Sequence, residues 1–170
     1  GRPPELVRSI AGVRLRGHGP SAPHLHGKSA GMPTDPRSTA TDRDASGTLH
    51  DRLRRTASTL GVALSDAQCA QLQAYLDLLQ RWNAVYNLTA VRDPAQMLTH
   101  HLADSLALVP ALRRHAAGRQ LALLDVGSGG GLPGVVVAIA CPEFSVCCID
   151  AVAKKARFVQ QVAAELRLLP

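Results

Sequence analysis

Asp125-Val126-Gly127-Ser128-Gly129-Gly130-Gly131-Leu132-Pro133-Gly134 places five glycines and a proline within ten residues. It follows a continuous apolar run, Leu121-Ala122-Leu123-Leu124, and leads into the apolar segment Val135-Val136-Val137-Ala138-Ile139-Ala140. An apolar run of strand length bounded by glycines reads as a buried parallel strand over 121–126, and 132–141 reads as the helix that follows it. The glycines between them permit positive φ and let a ligand approach the backbone without meeting a Cβ. Amide N–H groups at the start of the helix add donors. A glycine-rich loop by itself also fits a tight turn, and it is the strand before it and the helix after it that favour a ligand cradle.

Toward the C-terminus the pattern repeats. Residues 144–149 form a second apolar strand pattern, and 154–168 a helical one with Phe158, Val162, Leu166 and Leu169 inward. The order β, α, β, α demands a right-handed parallel crossover. Two acids then fall at the C-terminal ends of the predicted strands. Asp150 lies 23 residues beyond Gly127, where its carboxylate would hold a ribose diol; the alternative is a solvated acid closing a strand. Asp125 suits a D-x-G-x-G pattern better than the dinucleotide fingerprint and would meet a positively charged amino group; the alternative is a helix-capping acid. A P-loop is excluded, because no Gly-Lys-Ser/Thr follows the glycines.

Toward the N-terminus a helical segment spans 48–117. A short helix is expected over 48–60, ended by Gly61. Ser65-Asp66-Ala67-Gln68 has the form of a capping box, and Cys69, Leu72, Leu76, Leu79 and Trp82 follow it at helical spacing. Residues 83–89 read as a loop, 93–109 as a helix capped by Asp93 with Pro94 at its first position, and 111–117 as a further helical piece set off by Pro110. Residues 1–47 are rich in Gly, Pro, Ser, Thr, His and Arg without period, and are expected to be a disordered basic tail. His18, His24 and His26 in that tail read as incidental rather than metal-binding.

The formal charge of +6 says little about the folded part, since residues 1–56 hold 10 Lys/Arg against 5 Asp/Glu and the remainder is nearly balanced. No apolar run reaches the roughly 18–20 residues of a membrane span. Cys69, Cys141, Cys147 and Cys148 form no CxxC pair and no zinc spacing, so they read as reduced packing thiols in a cytoplasmic protein without a metal.

Beyond these readings, the chain resembles one family, the RsmG (GidB) methyltransferases, which act on N7 of a guanine in 16S rRNA. The resemblance rests on Arg81-Trp82-Asn83, Tyr86-Asn87-Leu88-Thr89, Val91-Arg92-Asp93-Pro94, His101-x-x-Asp104-Ser105-Leu106, the stretch from Leu124 to Gly134, and Lys154-Lys155-x-Arg157-Phe158. It implies a class I S-adenosylmethionine-dependent methyltransferase fold, an α/β Rossmann-like parallel sheet preceded by the helical segment and begun by residues 118–170. It also implies S-adenosyl-L-methionine as cofactor, contacted by Asp125, Gly127, Gly129, Leu132 and Asp150. Asn87, His101 and Asp104 become positioning candidates, and 16S rRNA or the small ribosomal subunit the partner. His100 and Ala151 depart from the usual family residues.

Guanine N7 carries an in-plane lone pair and no proton, so no general base is needed and catalysis reduces to positioning. Arg81, Arg92, Lys154, Lys155 and Arg157 are candidates for RNA phosphates, with plain surface solvation as the alternative for each. Two other functions share features of the chain: a nicotinamide-dependent oxidoreductase could use the same loop, and a non-catalytic RNA-binding module could use the basic tail. The 170 residues by themselves are expected to be inactive, with two strands exposing apolar edges and half of the cofactor pocket missing.

Overall fold

A computed structural model of the chain describes residues 11–17, 48–88 and 101–169. Their elements run β1 (Ala11–Leu15), α1 (Leu49–Thr59), α2 (Asp66–Tyr86), α3 (Asp104–Ala107), α4 (Val109–Ala116), β2 (Ala122–Val126), α5 (Gly134–Ala140), β3 (Ser145–Asp150) and α6 (Ala153–Glu165). β2 and β3 are parallel, with Ala122 opposite Ser145 and Val126 opposite Ile149. The strand–helix–strand–helix order of the C-terminal part therefore stands, in an α/β chain whose described sheet is small.

The sheet is mixed, in the order β1-β3-β2, where a purely parallel one was expected. β1 runs antiparallel to β3, with Ala11 opposite Asp150 and Leu15 opposite Val146. This overturns the expectation of disorder over 1–47 at these residues; 1–10 and 18–47 lie outside the described part. The physical reason is a five-residue alternation: Val13 and Leu15 are buried, whereas Gly12, Arg14 and Arg16 are exposed. The Arg16 amide then donates to the Leu168 carbonyl at 2.6 Å, tying the strand to the chain beyond α6. β3 is consequently interior, and β1 and β2 are the two outer strands of the described sheet. β2 is not the buried strand its composition suggests: Leu124 is 62% and Val126 71% exposed.

α1 and α2 both begin with reciprocal capping boxes, Thr48 with Asp51 and Ser65 with Gln68, each satisfying two backbone donors. α2 runs through Tyr86, so 83–86 are helix where a loop was expected. Asn83 is buried four residues after Leu79, on the same face, and the turn is ended by Asn87 in the left-handed region at φ 51°. α2 packs on α6 through Trp82 and Phe158, ring centroids 5.4 Å apart, and Tyr75 and Phe158 at 6.4 Å.

The start of the helix expected over 93–109, with its Asp93 cap, Arg92 and His100, lies outside the described residues. Its end is a π-helical turn at 101–103 followed by α3, with the break at Leu108 rather than at Pro110. Pro110 sits in the first turn of α4, where its missing N–H costs nothing. In α6 Phe158, Val162 and Leu166 face inward as expected, but Leu169 is exposed and Leu168 takes the inward place. The helix ends at Glu165 and Arg167 adopts φ 54°, which resets the register of the residues after it.

Candidate cofactor site

β2 and β3 end side by side, and the loops that leave them meet. Asp150, 7% exposed, closes the gap: one carboxylate oxygen accepts the Gly129 amide at 2.9 Å and the other accepts the Val152 amide at 2.8 Å. The Ile149 carbonyl accepts from Gly127 at 2.8 Å and from Ser128 at 3.1 Å. The Ser128 carbonyl in turn accepts from Gly131 at 2.7 Å and Leu132 at 3.0 Å. The expectation that amides at the start of the helix add ligand donors is corrected at Leu132, whose amide, like those of the loop before it, is used to hold the local shape.

Gly127 is where the backbone needs its glycine: φ is 75°, and a Cβ there would have nothing within 4 Å. The space over it is open to a ligand. Gly134, by contrast, is required by closeness. A Cβ would stand 2.7 Å from the Asp125 carboxylate and collide with the Cys148 sulfur. That closeness lets the Gly134 amide, at the start of α5, donate to Asp125 Oδ2 at 2.9 Å. Asp125 thus accepts the first amide of α5, which places a carboxylate at the N-terminal end of the helix. Burial pushes the Asp125 carboxyl above its ordinary range, against the Gly134 hydrogen bond, and the nearby Asp150 charge adds to the rise.

The remaining candidates divide. His101, Asp104 and Leu132 are brought together, with Ser105, Leu108 and Pro133, around a cavity of about 240 Å³. A neighbouring cavity of about 200 Å³ shares Leu108 and Pro133 and is lined by Asp125 and Gly134. Asn87, the left-handed cap of α2, borders neither cavity. Arg81 is exposed on α2, and Lys154, Lys155 and Arg157 lie in the first half of α6, beyond Asp150. One participant escaped the sequence reading. Tyr75, fully buried on α2, donates its hydroxyl to the Gly130 carbonyl at 2.7 Å. The available signal was a tyrosine beside an apolar stripe, since a buried phenol needs a partner.

Residues 68–169 match the family described as rRNA small subunit methyltransferase G, GidB. A ribosomal RNA small subunit methyltransferase G from Acidovorax ebreus (strain TPSY) is 62% identical over 128 residues, covering 71% of this chain and 57% of that protein. Its namesake from Leptothrix cholodnii (strain ATCC 51168 / LMG 8142 / SP-6) is 61% identical over 118 residues, covering 69% of this chain and 54% of the relative. One from Polaromonas naphthalenivorans (strain CJ2) is 55% identical over 124 residues, with 71% and 56% covered. The chain thus spans about half the length of the curated relatives it matches. With the match running from the first turn of α2 past the end of α6, the chain belongs to the rRNA small subunit methyltransferase G (GidB) family.

Proposed function

We propose that this chain carries the cofactor-side part of an S-adenosylmethionine-dependent methyltransferase that modifies N7 of a guanine in 16S rRNA, within a class I, Rossmann-like methyltransferase domain. The observation that carries the reading is the Asp125 carboxylate on the Gly134 amide. A dinucleotide's pyrophosphate would need the N-terminal end of that helix for its own charge. Here an acid already holds it, with a second acid, Asp150, close enough to be felt. Such an anionic mouth opposes a phosphate and suits a cationic, phosphate-free ligand, so the nicotinamide alternative loses its anchor.

The residues fit S-adenosylmethionine on these grounds, together with the open space over Gly127. Asp125 would hold the amino group and Asp150 the ribose, with Gly127, Gly129 and Leu132 against the rest. When bound, the cofactor supplies an electrophilic methyl group on a sulfonium. His101 and Asp104 border the adjoining cavity and would orient the incoming base; Asn87 is proposed on the RNA side of α2. None is asked to remove a proton, because N7 has none.

Lys154 and Lys155 support an RNA partner. They stand in the first turn of α6, which holds no acid, against the polarity of the helix. Each would cost about 0.3–1 kcal/mol there if it served stability alone, and a phosphate backbone passing along the start of α6 explains the placement. A ribosomal substrate also places the protein in the cytoplasm.

The test is isothermal titration with S-adenosylhomocysteine and with NADH, on a version extended to the length of the relatives. Binding of the first and not the second is expected, and NADH binding alone would refute the reading. Mass mapping of 16S rRNA from cells with and without the gene then reads the target, with loss of one N7-methylguanine expected.

A further inference from the structure

One face of α2 reaches three separate backbones. Gln68 Nε2 donates to the Ile139 carbonyl at 2.8 Å and the Ala140 carbonyl at 3.3 Å, at the end of α5. Gln71 Nε2 donates to the Leu166 carbonyl at 3.0 Å, at the end of α6. Tyr75 donates to the Gly130 carbonyl at 2.7 Å, in the glycine-rich loop. Residues 68, 71 and 75 share a face at helical spacing, and Leu79 follows one turn later. The Leu79 methyl Cδ1 would stand 2.9 Å from a Cβ at Gly130, so α2 and the loop meet there with no room to spare.

We propose that Tyr75 is a positioning residue for the glycine-rich loop: from α2, outside the strand–loop–helix unit, its hydroxyl fixes the loop over the ends of β2 and β3 and thereby sets cofactor affinity. The inference rests on the S-adenosylmethionine reading for its functional part and on geometry alone for its structural part. The Gly130 carbonyl belongs to a loop whose amides at 127, 128, 129 and 131 are tied to β3 and to Ser128. Tyr75 is a tie from the opposite side, across the hydrophobic core. Burial holds its phenol well above the usual range, with Cys148 and Asp125 contributing, so it remains a donor at all working pH values. The phenol ring is independently held by the core and Phe158, so removal of the hydroxyl leaves the packing in place.

The experiment compares the chain, extended to the length of the relatives, with its Tyr75→Phe variant by hydrogen–deuterium exchange and by titration with S-adenosylhomocysteine. Loss of one neutral hydrogen bond predicts about fivefold faster exchange in peptides covering 127–134, and about fivefold weaker binding. Exchange in α2 and β3 should be unchanged. Gly130→Ala, which forces the loop off Leu79 without touching Tyr75, should give the same local signature and guards against a variant that fails to fold. Equal loop exchange in both variants and the parent would overturn the inference. A parent that binds no S-adenosylhomocysteine, yet shows the faster loop exchange in Tyr75→Phe, would instead remove the cofactor reading and leave the loop tie standing. Faster exchange throughout Tyr75→Phe would mean the residue serves the core and not the loop, and would likewise overturn it.

Discussion

Gly134→Ala tests the close approach on which the site depends. The added Cβ would lie 2.7 Å from Asp125 Oδ2 and 3.3 Å from Asp125 Cβ, and still nearer the Cys148 sulfur. Ordinary contact begins near 3.4 Å, so the start of α5 has to move off the ends of β2 and β3. That displacement breaks the 2.9 Å hydrogen bond from Gly134 to Asp125. Overpacking of a filled site costs about 1–3 kcal/mol, and a hydrogen bond to a charged group contributes about 1.5–3 kcal/mol. Alanine's better helix propensity returns about 1 kcal/mol at most. A net loss of about 3 kcal/mol lowers Tm by about 10 °C for a chain of this size. The control is Gly118→Ala, at φ 80° with nothing within 4 Å, where the cost is backbone strain alone; it comes to about 1–2 kcal/mol. Differential scanning calorimetry of both variants decides. A Gly134→Ala protein that melts no lower than Gly118→Ala would refute the close-packing argument.

Four further outcomes are expected. Because burial raises the Asp125 carboxyl in the folded state, its ionised form opposes folding above that raised value, and the penalty disappears as pH falls through it. Asp125→Asn should therefore melt higher than the parent at neutral pH, with the difference closing on acidification in a pH series, while S-adenosylhomocysteine binds about tenfold or more weakly; a lower Tm at pH 7 contradicts this. Lys154→Ala with Lys155→Ala should weaken RNA binding and flatten its salt dependence by up to two charges in a filter assay, without lowering Tm; an unchanged salt slope counts against an RNA role. Burial first, then acidic or thiol neighbours, pushes Cys148 up to about 12 and Cys141 up to about 11, so alkylation at pH 8 followed by mass spectrometry should spare both and reach the half-exposed Cys147; early labelling of Cys148 would show the sheet to be open. Leu124→Lys with Val126→Lys should reduce self-association by light scattering, since these exposed residues make the open edge of β2 adhesive; unchanged association assigns it to another surface.

Parts of this architecture were legible because they depend on local periods. The run at 121–126, the glycines after it and the pattern at 144–149 predict strand, loop and strand from neighbouring residues alone, and β2, β3 and their parallel pairing agree to within a residue at each end. The capping box at Ser65 and Gln68 was equally local. Its glutamine does a second task, however, that no short window reveals, holding the Ile139 carbonyl 71 positions away. Leu169 was misplaced by counting helical spacing past a point where Arg167 reverses the backbone. Asp125 and Asp150 are site candidates because of their places at the ends of predicted strands. That Asp125 lies on the Gly134 amide depends on how tightly α5 packs against β2 and β3, and a motif does not encode that distance.

The βαβα order, the glycine loop and the family are readable from the chain alone, since these reside in short contiguous patterns of residue type and hydrophobic period. Long-range packing alone settles that Ala11–Leu15 pairs with β3, that Leu124 and Val126 of β2 are exposed, that His101 and Asp104 share a cavity with Leu132, and that Tyr75 reaches Gly130. Each of these joins residues tens of positions apart. A five-residue strand or a lone phenol is too weak a local preference to declare its partner, and the pairing is chosen by which buried edge or carbonyl would otherwise be left without one.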